Sequence, residues 1–327
     1  MTTDRLSITV HTQADDERLS AVDDIVRGFT SEPKTLDPKF LYHGEGSELF
    51  DEITRLEEYY PTRVERSLLE RHGAEIVQSV QPYDIVELGP GNSAKSGLLI
   101  GPALAAGTLR RYIPFDISEE ALREGGVSLM AAYPELREIA AVVGDFWRHL
   151  REVPPTEGTR LAALLGSTIG NLHPDEQCDF LWEIREGMLG PGDAFLVGAD
   201  LVKETSVIEA AYNDAKGVTA QFNLNSLRAV NDLLGLDIDT GLFRHRAFFN
   251  TEHSRIEMHL EALADVSFTL SPSGVTVDIR AGETIWTESS YKFTKEAFEG
   301  TLAAAGFANV EWYTDPDDMF ALALARV

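Results

Sequence analysis

The sequence predicts an α/β fold built around a parallel sheet, and three features of the pattern support that prediction. Five short apolar runs, at residues 83–88, 111–115, 139–143, 161–165 and 194–198, are each bounded by Gly, Pro or Asp, as buried parallel strands usually are. Helical stretches fall between these runs, and a glycine-rich turn follows the first of them. Alternation of this kind is typical of a doubly wound sheet.

Two of the intervening helices have clear boundaries. Glu119–Ala132 follows Ser118, a favourable N-cap, and begins with two acidic residues that suit the positive end of the helix dipole. Pro174–Met188 stops before a Gly-Pro-Gly sequence at 190–192, which ends a helix. Residues 1–63 are expected to form helices and loops.

The pattern changes after Asp200. Residues 201–234 predict a long helical segment, and antiparallel strands are expected at 244–249, 255–263, 266–270 and 275–280, with a hairpin turn at Ser273-Gly274. A last helix is expected at 295–305, followed by a hairpin of strands 310–313 and 319–325 at the edge of the first sheet. We therefore predict one domain at 64–199 and 292–327, and an inserted α+β domain at 1–63 and 200–291.

The composition narrows the possible partners. Acidic residues outnumber basic ones by 54 to 28, so neither nucleic acid nor an anionic membrane is an expected partner. The single cysteine, Cys178, excludes a disulfide within the chain and is consistent with a cytoplasmic location. No signal-like segment and no run of about 18 apolar residues is found. The scattered histidines show no metal-ligand spacing, so no metal is expected.

The glycine-rich turn is the first candidate binding element. Residues 87–94 read ELGPGNSA, and Gly89 and Gly91 would let the backbone approach a ligand closely. The same residues satisfy the G-x-G-x-x-A dinucleotide fingerprint. The turn alone therefore leaves open a nicotinamide dinucleotide and another adenosine-containing cofactor.

Polar residues after the next strands add to this site. Asp116 follows the second strand, where ribose hydroxyls are expected, and residues 166–171 (GSTIGN) follow the fourth. Asp145 and Phe146 follow the third, where the carboxylate can accept from an adenine amino group and the ring can pack on the base. Lys95 is expected just inside the helix that follows the glycine-rich turn, where it is either a cofactor contact or a solvated lysine.

Several longer segments match one known family. They are 38–42 (PKFLY), 46–51 (GSELFD), 53–63 (ITRLEEYYPTR), 166–171 (GSTIGN), 200–203 (DLVK), 217–220 (GVTA), 255–258 (RIEM) and 287–293 (TESSYKF). In these segments the chain resembles the histidine-specific Nα-trimethyltransferases of ergothioneine biosynthesis, over essentially its whole length. The resemblance implies S-adenosylmethionine as the co-substrate, L-histidine as the amino-acid substrate and hercynine as the product.

The resemblance also implies roles for individual residues. The expected contacts of S-adenosylmethionine are Gly89, Lys95, Asp116, Asp145 and Phe146. The expected neighbours of the amino acid's amine and carboxylate are Tyr42, Tyr59, Gly166, Asn171 and Tyr212, of which Tyr42, Gly166 and Asn171 are the candidate catalytic residues. Met258, Glu288 and Ser290 would line the side-chain end, with Glu288 and Ser290 bonded to the imidazole.

The implied architecture is a class I, Rossmann-like methyltransferase sheet with an inserted α+β substrate-recognition domain, in a monomeric protein. Pro90 departs from the family pattern, in which a small polar residue is expected; it stiffens the turn without removing a glycine. Related fungal enzymes methylate indole amino acids, so N-methylation of another aromatic amino acid such as tryptophan is the alternative activity. A nicotinamide-dependent oxidoreductase and a non-catalytic binding protein are the alternatives from other classes.

Overall fold

The computed structural model describes residues 5–11, 14–91, 93–271 and 273–327, with the backbone alone described at 14–18, 146 and 147. The chain divides into two compact units. The first contains the described part of Met1–Thr12 together with Pro61–Val202 and Phe293–Val327, and the second contains Gln13–Tyr60, from residue 14 onward, and Lys203–Lys292.

The strands, in chain order, are β1 (Leu6–Val10), β2 (Asp84–Leu88), β3 (Arg111–Asp116), β4 (Glu138–Val143), β5 (Arg160–Leu164), β6 (Ala194–Asp200), β7 (Phe243–Asn250), β8 (Arg255–Ala262), β9 (Val266–Leu270), β10 (Val275–Ile279), β11 (Thr284–Tyr291), β12 (Ala308–Thr314) and β13 (Phe320–Arg326). The α-helices are α1 (Ala14–Thr30), α2 (Gly46–Ile53), α3 (Tyr60–Val80), α4 (Gly97–Ala105), α5 (Glu119–Ala132), α6 (Phe146–His149), α7 (Pro174–Met188), α8 (Thr205–Tyr212), α9 (Val218–Leu234) and α10 (Lys295–Ala304).

The first unit is built on an eight-stranded sheet. Its strand order is β1-β4-β3-β2-β5-β6-β13-β12. The strands from β1 to β6 run parallel, and β13 pairs antiparallel with both β6 and β12. The predicted α/β class and the closing hairpin at the sheet edge are therefore confirmed.

The N-terminal strand corrects the sequence prediction that residues 1–63 form only helices and loops. Leu6–Val10 pairs in parallel with Ile139–Val143 of β4, so this segment belongs to the first unit. Half-buried and exposed residues alternate over only a few positions of this strand. On one side of it, Leu6 and Ile8 pack against Leu122 and Val143. A short edge strand of this kind has little periodicity for sequence analysis to detect.

The core of the first unit lies between the sheet and its helices. Ile85, Tyr112 and Leu161 from the sheet pack with Leu68 and Ile76 of α3. The central strands β2, β5 and β6 are buried along their whole length. Because parallel strands end at one edge of the sheet, the residues that follow β2, β3, β4 and β5 are brought to the same side.

The second unit carries a three-stranded antiparallel sheet, in the order β11-β8-β7, and the separate hairpin β9-β10. Ile25 and Phe29 of α1, Leu227 of α9 and Leu260 of β8 share its core with Ile279 of β10. The predicted antiparallel region after the parallel strands is confirmed.

The segment 201–234 is two helices, which corrects the prediction of one long helical segment. The α8 helix ends at Tyr212, and α9 begins at Val218. Between them, the Asp214 carboxylate accepts hydrogen bonds from the backbone N–H groups of Val218 and Thr219, at 3.0 and 2.8 Å. An acidic side chain that satisfies these free N–H groups starts a new helix.

A β-bulge in β11 changes which side chains are buried. The pairing with β8 shifts between Trp286 and Glu288. Before the shift Ile285 is buried, and the extra residue Thr287 is buried as well. After it Glu288 and Ser290 are buried, while Ser289 between them is half-buried. An extra residue in one strand reverses its alternation, so the bulge directs Glu288 and Ser290 inward.

Among the described residues, no helix combines the length and apolar character needed to span a lipid bilayer.

Candidate active site

The turn after β2 is shaped by two glycines and tied to β3. Gly89 and Gly91 have φ of 65° and 53°, in the left-handed region that favours glycine. The Gly89 N–H donates to the carbonyl of Phe115 at 2.8 Å. Apart from its two chain neighbours, no described residue has an atom within 4 Å of the place where a Cβ on Gly91 would stand, so a ligand can approach the backbone there.

Asp116, the last residue of β3, holds this turn. Its carboxylate accepts from the N–H of Gly91 at 3.2 Å and from that of Ser118 at 3.0 Å. Burial raises the pKa of Asp116, and the backbone hydrogen bonds from Ser118 and Gly91 partly oppose that rise. Further hydrogen-bond donors, such as ribose hydroxyls, would favour the charged carboxylate in the same way.

Asp145 lies just beyond the end of the neighbouring strand. Asp116 of β3 is paired with Val143 of β4, and Asp145 follows two residues later, half-buried. Its backbone N–H donates to Nδ1 of His149 at 3.1 Å. The side chain of Phe146 lies outside the described part of the structure, although its backbone begins α6.

Lys95 precedes α4, in the turn before Gly97, whereas the sequence placed it just inside the helix. Its ammonium forms an ion pair with the fully buried carboxylate of Glu65. The other oxygen of Glu65 accepts the backbone N–H of Gly166 at 2.6 Å. The Nζ of Lys95 also lies 3.7 Å from the place where a Cβ on Gly166 would stand. Lys95 and Gly166, both singled out from the sequence, are therefore neighbours.

A second buried carboxylate lies beneath the turn. Glu87 of β2 accepts from the hydroxyl of Tyr112 at 2.7 Å, and that hydroxyl lies 3.0 Å from Oγ of Ser96. Burial raises the pKa of Glu87, while the hydrogen bonds from Ser96 and Tyr112 and the charge of Lys95 lower it. This layer of polar contacts fixes the strand from which the glycine turn begins.

The turn after β5 has a strained backbone. Gly166 and Ser167 have φ of 80° and 57°, and Oγ of Ser167 accepts the N–H of Asp200 at 2.9 Å. Gly166 is exposed, and a short 3-10 helix, Thr168–Asn171, ends at the half-buried Asn171. Strain of this kind is typical of functional turns.

In the second unit, three of the predicted substrate residues, Tyr42, Tyr59 and Tyr212, belong to one aromatic cluster, in which Phe50 lies between Tyr42 and Tyr59. Ring centroids are 5.4 Å apart for Tyr42 and Phe50, 6.2 Å for Phe50 and Tyr59, and 6.1 Å for Tyr59 and Tyr212, all in edge-on geometry. Phe222 contacts both Tyr42 and Phe50. The rings pack as aromatic clusters do, and Tyr42 remains 38% exposed.

A buried polar cluster continues from Tyr212. The ammonium of Lys292 lies 3.1 Å from the hydroxyl of Tyr212 and 2.8 Å from that of Ser290. It also lies 4.8 Å from the centroid of the Tyr212 ring. Glu288, on the same strand face as Ser290, is paired across the sheet with the buried Met258. We call Tyr212, Glu288, Ser290 and Lys292 the lysine cluster.

Glu288 has an unusual acidity. Burial raises the pKa of Glu288 to about 7, although the charge of Lys292 acts in the opposite direction. A carboxyl group with this pKa changes its charge near neutral pH, and such groups are concentrated at functional sites.

Sequence reasoning missed Glu65 and Lys292, and each left a signal. Glu65 precedes Leu68 and Leu69 by three and four residues, so it lies on the buried face of α3. Lys292 is two residues beyond Ser290 and shares its alternation. A charge on a core-facing position is costly unless it has a partner, and that was the detectable feature.

Within the ranges that the structure describes, no three His, Cys, Asp or Glu side chains are grouped so that they could hold a metal ion. The expectation that the protein needs no metal stays a prediction.

The sheet with its antiparallel edge hairpin has the architecture of a class I methyltransferase. The model of the histidine-specific, S-adenosylmethionine-dependent methyltransferases matches residues 21–327, and the chain belongs to that family.

Three relatives show how close the likeness is. The chain is 44% identical to histidine N-alpha-methyltransferase of Mycolicibacterium smegmatis, over 98% of this chain and 99% of the relative. It is 42% identical to the protein of the same name from Mycobacterium tuberculosis, with the same coverage. It is 30% identical to ergothioneine biosynthesis protein 1 of Neurospora crassa, over 90% of this chain but only 34% of that longer protein.

Proposed function

We propose that this protein transfers methyl groups from S-adenosylmethionine to the α-amino nitrogen of L-histidine, three times, to give hercynine in ergothioneine biosynthesis. Family membership and the names of the relatives support this substrate. The observation that carries the proposal is the buried lysine cluster, whose Glu288 carboxyl and Ser290 hydroxyl suit a polar ring and whose Tyr212 hydroxyl suits a carboxylate.

In the first unit, we assign the co-substrate to the turn residues and the strand ends. Gly89 gives room for the backbone to contact it, Asp116 accepts from the ribose, and Asp145 accepts from the adenine amino group. Phe146 would pack against the base. Lys95, held by Glu65, would act as a positively charged donor near the strand ends. These are the five contacts of S-adenosylmethionine that the family resemblance implies.

For the amino acid, we assign each end separately. Tyr59, Asn171 and Tyr212 bind the amine and carboxylate, and Tyr42 and Gly166, with Asn171, stand beside the reacting nitrogen. Glu288 and Ser290 bind the imidazole, and Met258 forms its apolar wall. A grip on the ring and carboxylate does not depend on amine N–H groups, so it persists while the nitrogen gains methyl groups.

Methyl transfer depends mainly on how the enzyme positions the amine and the methyl group. S-adenosylmethionine supplies a methyl group carried on a positively charged sulfur. The side chains must bring the unprotonated amine into line with that group, at about 3–3.5 Å from the carbon. Neutral hydroxyl, carbonyl and amide groups suit this place, because an anion beside the sulfonium would stabilise the starting state more than the transition state. The tyrosines, Gly166 and Asn171 are groups of this type.

The direct test is incubation of the purified protein with L-histidine and S-adenosylmethionine. Mass spectrometry should show mono-, di- and trimethylated histidine, with the trimethyl form accumulating and fragmentation placing all methyl groups on the α-nitrogen. Methylation of an imidazole nitrogen, or a reaction that ends after one methyl group, would contradict the proposed orientation. Preferential methylation of tryptophan in an equal mixture would establish the alternative activity instead.

We also propose that the enzyme works as a monomer in the cytoplasm without a metal. The single cysteine supports the cytoplasmic location, the family resemblance supports the monomer, and the scattered histidines support the absence of a metal. Light scattering during size exclusion should give the mass of one chain, 36.1 kDa. Activity should survive treatment with EDTA. A dimer mass, or a loss of activity that added metal restores, would contradict them.

A further inference from the structure

The ammonium of Lys292 is buried together with the groups it contacts. Lys292, Ser290 and Tyr212 are 4%, 3% and 9% exposed. Removing a charged amine from water is costly unless hydrogen bonds and an opposite charge compensate it. Here the compensation includes two hydroxyl oxygens, the face of the Tyr212 ring and the charge of Glu288.

The chemistry of these groups fixes the direction of two protons. An ammonium group has only donors, so it must donate to Oγ of Ser290 and to the hydroxyl oxygen of Tyr212. Each hydroxyl therefore points its own proton away from Lys292. A hydroxyl held in this way is presented to any further neighbour as a donor.

We propose that Lys292 is a positioning residue that makes Ser290 and Tyr212 hydrogen-bond donors toward the amino-acid substrate. This inference rests on the proposed function. A neutral imidazole has one N–H group and one acceptor nitrogen. Ser290 donates to the acceptor nitrogen while Glu288 accepts the N–H, and Tyr212 donates to the carboxylate. The cluster thus selects a ring with a donor and an acceptor at its edge.

The consequence concerns substrate choice. A phenyl or indole ring offers no acceptor nitrogen to Ser290, so the hydroxyl proton would be left without its partner. A buried donor without an acceptor is penalised far more than a formed hydrogen bond is rewarded. Lys292 therefore contributes to selectivity for histidine although the proposal gives it no contact with the substrate.

The test begins with Lys292→Met, which keeps an unbranched side chain and removes the ammonium. We expect the KM for L-histidine to rise at least about tenfold, as for the loss of charge-assisted hydrogen bonds, while kcat changes less than about threefold. The ratio of histidine to phenylalanine turnover should fall. Lys292→Arg, which retains a cationic donor, should restore much of the KM.

A matched control and a double-mutant cycle separate positioning from packing. Lys34 is also largely buried, in an ion pair with Glu283 at 2.5 Å, and Lys34→Met should leave both the KM and the substrate ratio unchanged. Ser290→Ala should raise the KM as Lys292→Met does, and the double variant should be no worse than the poorer single variant. If the increases in KM of Lys292→Met and Ser290→Ala multiply in the double variant, the two residues act independently and the proposal is wrong.

The remaining outcomes are also decisive. Wild-type protein that fails to methylate histidine would refute the proposed function, and that is measured first. If the wild-type protein methylates histidine and Lys292→Met has an unchanged KM for histidine, this inference is refuted and the proposed function is not. If Lys292→Met does not fold, Lys292→Arg takes its place in the cycle with Ser290→Ala. A KM for Lys292→Arg as poor as that of Ser290→Ala, in a folded protein, would then count against positioning.

Discussion

The carboxylate of Glu65 accepts the backbone N–H of Gly166 at 2.6 Å, across 101 residues of chain. Its second oxygen pairs with Lys95. One fully buried side chain of α3 thus connects the turn after β5 with the turn before α4. Glu65 was not among the residues singled out from the sequence, yet it organises two that were.

Removing the Glu65 carboxylate should be costly. Glu65→Ala leaves Lys95 without this partner and the Gly166 N–H without its acceptor, so we expect the free energy of unfolding to fall by about 3 kcal/mol or more. Chemical denaturation measures it. Glu70→Ala is the matched control on the same helix, since Glu70 pairs with Arg66 at an exposed position, and its effect should stay below about 1 kcal/mol. Equal effects would contradict a special role for Glu65.

Gly198 leaves the space that Glu65 occupies. A Cβ at Gly198 would collide with Oε1 of Glu65, so Gly198→Ala should destabilise the protein by about 1–3 kcal/mol. Combining it with Glu65→Ala should give less than the sum of the two losses. At Gly300 in α10, no described residue beyond its chain neighbours and its own helix backbone has an atom within 4 Å of the Cβ position, so Gly300→Ala should stabilise slightly. Additive losses in the double variant would show that the two sites do not interact.

Asp116 should control co-substrate affinity. Asp116→Ala removes the acceptor of the Gly91 N–H and the proposed acceptor of the ribose, so the Kd for S-adenosylhomocysteine should rise about 10- to 100-fold. Calorimetry measures the affinity, and NAD should give neither binding heat nor thermal stabilisation. Glu119→Ala, in an exposed ion pair with Arg123, is the control and should bind as wild type does. Stabilisation by NAD with indifference to S-adenosylhomocysteine would refute the co-substrate.

Glu288 should determine the preference for histidine. Without the Glu288 carboxyl group, the imidazole N–H loses its proposed acceptor, so Glu288→Ala should lower kcat/KM for histidine about 10- to 100-fold. Affinity for S-adenosylhomocysteine should barely change. Adding Met258→Val should raise relative activity on tryptophan or phenylalanine. Competition assays with equal amounts of the three amino acids provide the measurement. A wild-type preference in Glu288→Ala would place selectivity elsewhere.

The acidity of Glu288 should appear in the pH dependence of stability. Burial raises its pKa from an ordinary value of 4.5 to about 7, so the fold favours the protonated form. Its stabilising contribution is complete below pH 4.5 and is lost as the pH rises through about 7. Glu288→Gln stays neutral, so the loss of about 3 kcal/mol across this range should disappear. Unfolding curves at several pH values measure it; parallel curves for both proteins would exclude the raised pKa.

Local sequence patterns were sufficient for the parallel strands β2 to β6 and for the edge hairpin of the first unit. Buried parallel strands are short apolar runs, and their ends carry residues free of packing demands, so Asp116 and Asp145 were recognisable from their position after a strand. The N-cap at Ser118 was equally local, and its side chain accepts the N–H of Ala121 at 3.2 Å.

The same logic failed where pairing, not periodicity, decides structure. β1 is an edge strand defined by its partner β4, and the break after Tyr212 depends on the carboxylate of Asp214. The bulge in β11 reverses the alternation that directs Glu288 and Ser290 inward. No local window contains the partner strand that fixes β1 or the bulge in β11. Asp214 lies only four and five residues before the N–H groups that it accepts, so this local signal was present in the sequence and was not recognised.

The sequence by itself determined the parallel sheet, the glycine turn, the acids after the strands and, through its motifs, the family. Only the tertiary structure decided that Glu65 binds Lys95 and Gly166, and that Lys292 lies between Tyr212 and Ser290. The physical reason is that strands and helices form from neighbours along the chain. A buried charge is tolerated only where distant segments bring it partners, and those partners are fixed by folding.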